Sequence, residues 1–295
     1  MPIDVDSALG SELPGTIFSW DQDDVILYNL ALGAGVPPED PAELKYAYEG
    51  DLVPVPSYAT IPPFSMMMSL GEVPGLDLDL SKILHGDQTL TIHRPIPTSG
   101  TVSQGGRIVD IYDRGRGALI VLEVSSVLEK TGETLFTNRA GVYVRGEGGF
   151  GGDPGPASGS EPPTGRQPDH VVESSTLPQQ ALLYRMASGD KNPLHADPAF
   201  AAFAGFERPI LHGLCTYGVV LKAVTESALG GDPTQVGSYY ARFTGHVFPG
   251  ETLVTSIWDS DDGLVLETTT KERGTKVLGS GVVQFRPTSP DDLPT

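Results

Sequence analysis

The sequence predicts an α+β fold in which a curved antiparallel sheet wrapped around a helix occurs twice. Three observations carry that expectation. Residues 89–145, beginning "TLTIHRPIPTSGTVSQGGRIVD", and residues 238–286, beginning "SYYARFTGHVFPGETLVTSIWD", each read as a strand, a Pro/Gly corner and three long strands separated by Gly-bearing turns. Ahead of the second series, "HGLCTYGVVLKAVTESALGG" places Leu214, Tyr217, Val220, Leu221 and Val224 at helical spacing and ends in Gly-Gly. Between the two halves, "GEGGFGGDPGPASGSEPPTGRQPDH" has no apolar periodicity.

Each element follows from its residues. "DQDDVILYNLALGAG" begins with aspartates suited to capping and closes on glycine, as a helix does. "PPFSMMMSL" is a shorter helical candidate. The alternation in "LIVLEVSSVL" and "LVTSIW" fits antiparallel strands with one covered face. The expected division is residues 1–145, a Gly/Pro-rich linker over 146–170, and residues 171–295. The repeat, at about 130 residues, is far too long for a solenoid. The linker glycines lack the Gly-Lys-Ser/Thr ending of a phosphate-cradling loop.

Composition limits what such a chain does. Among 295 residues, 19 are basic and 38 acidic, a net charge of −19. This argues against nucleic-acid binding, which needs a basic footprint. No run of 18 apolar residues exists to span a membrane. The acidic start lacks the basic and apolar regions of a signal peptide, and "SPDDLPT" is no peroxisomal tripeptide. A single cysteine, Cys215, excludes an intrachain disulfide framework and a thiolate zinc cluster. The expectation is a soluble, cytoplasmic, bacterial protein.

The chemistry concentrates in "SGDKNPLHADPAFAAF". Asn192-Pro193 favours a turn, and Asp197-Pro198 reads as an N-cap followed by proline at the first helical position. Asp190, Asn192 and His195 have no such structural task. A carboxylate and an imidazole five residues apart can grip one water, offering an acceptor and a group that titrates near neutrality. By spacing alone, a plain surface turn still accounts better for them. The second motif, "ERPILHGLCTYG", puts Gly213 at the first turn of the long apolar helix. Its amide there is unpaired at the positive end of the helix dipole, and the missing side chain lets a carbonyl oxygen approach, as an oxyanion site requires. Cys215, on the apolar helix with no base assigned to it, reads as a buried structural thiol.

"DKNPLHADPAF" followed by "RPILHGLCTYG" resembles the hydratase 2 motif of the MaoC-like, (R)-specific enoyl-CoA hydratases. The likeness extends over the first half through "WDQDDVILYNLALGAG", "YAYEGDLVPVPSYATI", "ILHGDQTL", "PIPTSGTV", "DRGRGALIVLE" and "RGEGGFGG". It is similar to the hydratase 2 unit of the peroxisomal multifunctional enzymes type 2. The resemblance implies a double hot-dog fold with catalysis in the second half only. It implies that Asp190 and His195 hold the reacting water, that Asn192 orients the site, and that the Gly213 amide polarises the thioester carbonyl. It further implies that His85, Gly86, Arg114 and Phe243 line the acyl-CoA site. Where the family often carries lysine, this chain has Arg114, which keeps the charge with a different geometry. Arg107, Arg114 and Arg116 are candidates for a local basic patch to hold CoA phosphates.

The implied reaction is reversible syn hydration of trans-2-enoyl-CoA to (3R)-3-hydroxyacyl-CoA. No cofactor or metal is implied, since CoA enters with the substrate. The expected partners are the acyl-CoA thioester and a second copy of the chain in a homodimer. His195 is the preferred base, although the sequence leaves the reverse division with Asp190 open. A 3-hydroxyacyl-thioester dehydratase of a synthesis pathway, a hot-dog thioesterase and a non-enzymatic acyl-CoA-binding protein are the alternatives. "VPGLDLDLSKIL", residues 73–84, is expected to border the acyl tunnel.

Overall fold

The computed structural model describes residues 3–79 and 82–287. Within them, β1 (Glu12–Trp20), β2 (Ile83–Ile92), β3 (Gly100–Asp113), β4 (Gly117–Leu128), β5 (Thr134–Arg145), β6 (His170–Ser175), β7 (Val236–Phe243), β8 (Thr252–Ser260), β9 (Gly263–Thr270) and β10 (Lys276–Phe285) form one antiparallel sheet. Their order is β1-β3-β4-β5-β2-β7-β10-β9-β8-β6. Read outward from the centre, the two halves have the same topology, so the repeat visible in the sequence is a repeat of architecture. Strands β2 and β7 join them through pairs running from Asp87↔Arg242 to Thr91↔Ser238.

The helices are α1 (Val5–Ala8), α2 (Gln22–Ala31), α3 (Pro41–Leu44), α4 (Phe64–Met68), α5 (Gln180–Ser188), α6 (Pro198–Phe203) and α7 (Gly213–Ala228). The expected α2 is fixed by a capping box in which Asp21 and Asp24 reciprocally bond the first-turn amides. The expected long helix is α7, whose Cys215–Leu221 stretch is wholly buried. Its counterpart in the first half is much shorter. Pro62 and Pro63 interrupt the segment, because proline lacks the N–H and disfavours helix in the residue before it. What remains is a 3-10 turn at Pro56–Thr60 and the five residues of α4.

Two further differences from the sequence reading concern the edges and faces. Strands β1 and β6, one at each edge, were not among the expected strands. In β1, Pro14 and Gly15 fall at a register shift between Leu13 and Thr16, where an edge strand tolerates them. Each half also carries an outer helix, α2 or α5, besides the central one. These pack together, with the Tyr28 and Tyr184 rings 6.0 Å apart and Gln180 Nε2 donating to the Ala31 carbonyl.

Residues 146–169 contain no helix or strand, yet they are tied to the sheet. The Asp113 carboxylate accepts from the amides of Gly149 at 2.8 Å and Gly151 at 2.7 Å, and Ser160 N–H donates to the Ser280 carbonyl at 3.2 Å. Gly149 and Gly151 adopt φ of +81° and +77°, which explains glycine at both.

The main core takes residues from both halves, setting Trp20, Tyr28, Tyr58 and Phe136 of the first with Tyr217, Leu221 and Tyr239 of the second. Across its polar side, α7 is held by Lys222–Glu43 at 2.6 Å and Lys45–Glu226 at 2.8 Å. No helix among the described residues is long and apolar enough to cross a membrane.

Helix α7 packs closely on the first half at Gly218, where an added Cβ would lie 2.8 Å from Leu32 and 3.0 Å from Ser57 Oγ. Gly218→Val is therefore expected to destabilise the protein by about 1–3 kcal/mol through overpacking, despite valine's better helix propensity. Urea unfolding measures this, and an unchanged midpoint would contradict the close packing of the halves.

Candidate functional site

The polar motif of the second half is shaped by three successive chain reversals. Helix α5 ends at Gly189 with φ +75°, and Asp190 follows at once. Asp190 Oδ1 accepts from the Asn192 amide at 3.0 Å, which leaves Oδ2 outside that bond. Asn192 is exposed, and its Oδ1 accepts from the Leu194 amide at 3.0 Å, capping the 3-10 turn Pro193–His195. Asp197 then caps α6, accepting from the Ala199 amide at 2.8 Å. Asn192 thus shapes the turn, while Asp197 keeps the structural task the sequence assigned it.

His195 ends that turn and is 9% exposed. Its Nδ1 lies 2.8 Å from the Ile210 carbonyl, a pure acceptor, so Nδ1 carries the proton and Nε2 the lone pair. Ile210 N–H donates in turn to the Leu194 carbonyl, and the Leu211 amide to the Val247 carbonyl. The loop before α7 is therefore bonded both to the His195 turn and to the β7–β8 connection.

His212, beside Gly213, completes the cluster and was not singled out from the sequence. Its ring stacks on His195 with centroids 3.8 Å apart and planes at 27°, and lies 5.0 Å from the ring of Tyr184. Both His212 ring nitrogens and the Tyr184 hydroxyl are buried without a hydrogen-bond partner. Burial pushes His195 below the ordinary histidine value, against the raising effects of the Ile210 bond and the Asp190 carboxylate. Burial, and next the neighbouring His195, push His212 down to about 2. Both imidazoles are neutral at neutral pH.

Asp190, His195 and His212 offer atoms within 4.8 Å of one another, a spacing that a metal ion could share.

Gly213 is the first residue of α7, so its amide has no partner within the helix. An added Cβ would sit 3.2 Å from the Phe243 ring, and glycine keeps that approach open. Phe243, at the end of β7, packs 4.8 Å from the His85 ring on neighbouring β2. Gly86 lies at a register shift between His85 and Asp87. That extra residue turns His85 to the same face as Gln88, which it bonds at 3.1 Å. His85, Gly86, Phe243 and Gly213 are thereby gathered where the two half-sheets meet. Beside them a cleft runs into the first half, walled by Phe64, Met67, Leu122, Val124 and Leu214 and by the polar His85, Gln88 and Asn138.

Of the three arginines expected to form a basic patch, Arg107 stands apart, while Arg114 acts with Arg139 and Arg242 on Asp87, beside Gly86. Arg114 sits exposed in the β3–β4 turn, donates to the Pro156 carbonyl at 3.3 Å and lies over the Tyr112 ring, with no contact to Asp190, His195 or Gly213. Arg107 is paired with Glu123 at 3.2 Å, seven residues back along β3 and so about 23 Å away at strand rise. Its extended strand holds it apart from Arg114 and Arg116. Of residues 73–84, 80 and 81 lie outside the described residues, as does the whole of "SPDDLPT". None of the others lines the cleft; Val73 and Leu76 pack instead with Met66 and Ile108. Cys215 is fully buried, burial pushes its thiol up, and its Sγ rests 3.8 Å from the Ala31 carbonyl.

Comparison with known proteins places this geometry. Residues 18–146 match the family described as the MFE-2 hydratase 2 N-terminal domain, and residues 160–280 match the MaoC like domain. Enoyl-CoA hydratase ChsH3 of Mycobacterium tuberculosis is 45% identical over 96% of this chain and 98% of its own. The chain belongs to the MaoC-like hydratase 2 family. The peroxisomal enoyl-CoA hydratase 2 of Arabidopsis thaliana is 40% identical over 95% of both chains. The structure of the full-length peroxisomal multifunctional enzyme type 2 from Drosophila melanogaster superposes with a TM-score of 0.81 at 33% identity, covering 93% of this chain and 48% of that one. The α+β double hot-dog expected from the sequence is the fold observed.

In this hydratase 2 chain the buried histidines have a distinct titration signature. His212 is expected to stay unprotonated throughout pH 5–8, and His195 to titrate below 6.5. Both depressed values remove stability as pH falls below 6.5, because the unfolded chain then binds protons that the folded one does not. Nitrogen-15 NMR of the imidazoles measures this; a His195 midpoint above 6.5 would contradict the site described.

Proposed function

We propose that the chain catalyses the reversible syn addition of water to a trans-2-enoyl-CoA, giving the (3R)-3-hydroxyacyl-CoA. The observation that carries this reading is the free His195 Nε2 lone pair in one cluster with the Asp190 carboxylate, next to the unpaired Gly213 amide. The names of the hydratase relatives support the substrate class.

In this reading the water is held between Asp190 Oδ2 and His195 Nε2. Nε2 takes a water proton as the oxygen bonds to C3, and the C2=C3 electron pair moves toward the thioester oxygen. The Gly213 N–H stabilises that developing oxyanion, a contribution of about 3–4 kcal/mol for a donor of this type. The proton passes from His195 through the Asp190 carboxyl to C2, so hydroxide and proton both derive from one water and both residues return to their starting states. His195 is the base because its tautomer is already set and its lowered basicity leaves it unprotonated at working pH. The cleft toward the first half, between α4 residues Phe64 and Met67 and Leu214, receives the start of the acyl tail.

Asp190→Ala and His195→Ala are expected to fold normally and to lose roughly 100-fold or more in kcat. Loss of enoyl absorbance over a chain-length series, with chiral analysis of the product, tests the reading. The R alcohol is expected; an S product, or near-unaltered hydration by either variant, would overturn it.

A further inference from the structure

The His195 tautomer is set by a peptide plane, and that plane is clamped from behind. The Ile210 carbonyl accepts the His195 Nδ1 proton, and the Leu211 N–H donates to the Val247 carbonyl at 2.7 Å. This carbonyl and this N–H belong to one planar peptide group and point to opposite sides of it. Fixing the Val247 carbonyl therefore fixes the direction in which the Ile210 carbonyl faces the imidazole. Leu211 and Val247 are both buried.

Val247 lies in a loop gripped by one guanidinium. Phe248-Pro249-Gly250-Glu251 closes a turn through the Glu251 N–H and the Phe248 carbonyl at 3.0 Å, with Gly250 at φ +94°. The buried Glu251 carboxylate accepts from the Phe248 amide at 2.7 Å. Arg273, in the β9–β10 turn, puts Nε on one oxygen of that carboxylate and Nη2 on the other, and Nη2 also donates to the His246 carbonyl at 2.6 Å. Its guanidinium lies over the Phe248 ring at 5.0 Å, and Arg208, two residues before Ile210, lies over the same ring at 4.6 Å. Arg273 thus holds residues 246, 248 and 251, on both sides of Val247. Thr176 fastens the far end of the loop, donating to the Glu251 carbonyl from its amide at 3.0 Å and its hydroxyl at 2.7 Å.

An ion pair drawn out of water adds little net stability, but a planar fork fixes geometry in a way that a point charge does not. We propose that Arg273 and Glu251 are positioning residues that act through His195. They hold the Val247 carbonyl, and through the Ile210–Leu211 peptide they keep the imidazole in its Nδ1–H form with the Nε2 lone pair on the water. This rests on the hydratase reading and gives the Phe-Pro-Gly-Glu turn and the β9–β10 turn a part in it.

Arg273→Met keeps much of the stem and removes the fork. It is expected to lower kcat about 10-fold with KM within about 2-fold. In nitrogen-15 NMR of the unliganded protein it should bring in an Nε2–H form of His195, where the wild type shows Nδ1–H alone. Arg273→Lys keeps the charge beside Glu251 without the fork, so both readouts should move the same way by a smaller step, and it decides the matter if Arg273→Met does not fold. Added to His195→Ala, Arg273→Met should change the residual kcat by less than about 2-fold, since the residue it acts through is gone. A full 10-fold loss in that background, or a folded Arg273 variant with wild-type kcat and only the Nδ1–H form, would overturn the proposal while leaving hydration intact. Failure of the wild type to hydrate any enoyl-CoA would instead count against the function itself, and the tautomer would then decide the clamp alone.

Discussion

The pairing of β2 with β7 is the constraint on which the rest depends. It makes one sheet of two repeats and sets His85 of the first beside Phe243 of the second, although 158 positions separate them in the chain. The Phe243 ring then meets Gly213, so the start of α7 is referenced to both halves at once. A one-residue slip of β7 would turn Phe243 to the opposite face and dissolve this arrangement. Lys222–Glu43, Lys45–Glu226 and the close contact at Gly218 hold α7 against the same framework.

On that framework the chemistry is assembled by bonds to the backbone. The Ile210 carbonyl sets the His195 tautomer, the Asn192 amide takes one Asp190 oxygen, and the Ala59 and Thr89 carbonyls orient Asn138 and Gln88. Main-chain partners cannot reverse donor and acceptor, as side-chain amides and imidazoles can. His212 adds a neutral aromatic face that covers one side of the His195 ring without competing for its proton. In the proposed reaction the division of labour between the halves follows: the second supplies acid–base groups and an amide, and the first supplies a ring and most of the cleft.

Much of this was legible in the sequence because it is local. The α2 caps, the α7 periodicity, the Asn192 turn and the Asp197 cap are decided within a few residues, and each appears as expected. Strand β1 was hidden because Pro14 and Gly15 resemble a turn, and only the register with β3 shows that they occupy a bulge. His212 was hidden by its neighbour: in "LHGLC" the glycine explained the motif, and the stacking on His195 depends on a loop closure that no spacing reports. Gln88 and Asn138 lie fifty positions apart on paired strands, each an ordinary polar residue until the register sets them diagonally across the pair on one face. Proximity in sequence misleads in the other direction at Arg107. Arg107 and Arg114 are close in sequence, but an extended strand carries them apart.

The most direct measurement is the crystal structure of the Asp190→Asn variant with a bound 3-hydroxyacyl-CoA. The account predicts the thioester oxygen about 3 Å from the Gly213 amide and the 3-hydroxyl within similar reach of both His195 Nε2 and residue 190. A thioester oxygen bound away from Gly213, or a hydroxyl that does not reach His195, would contradict it.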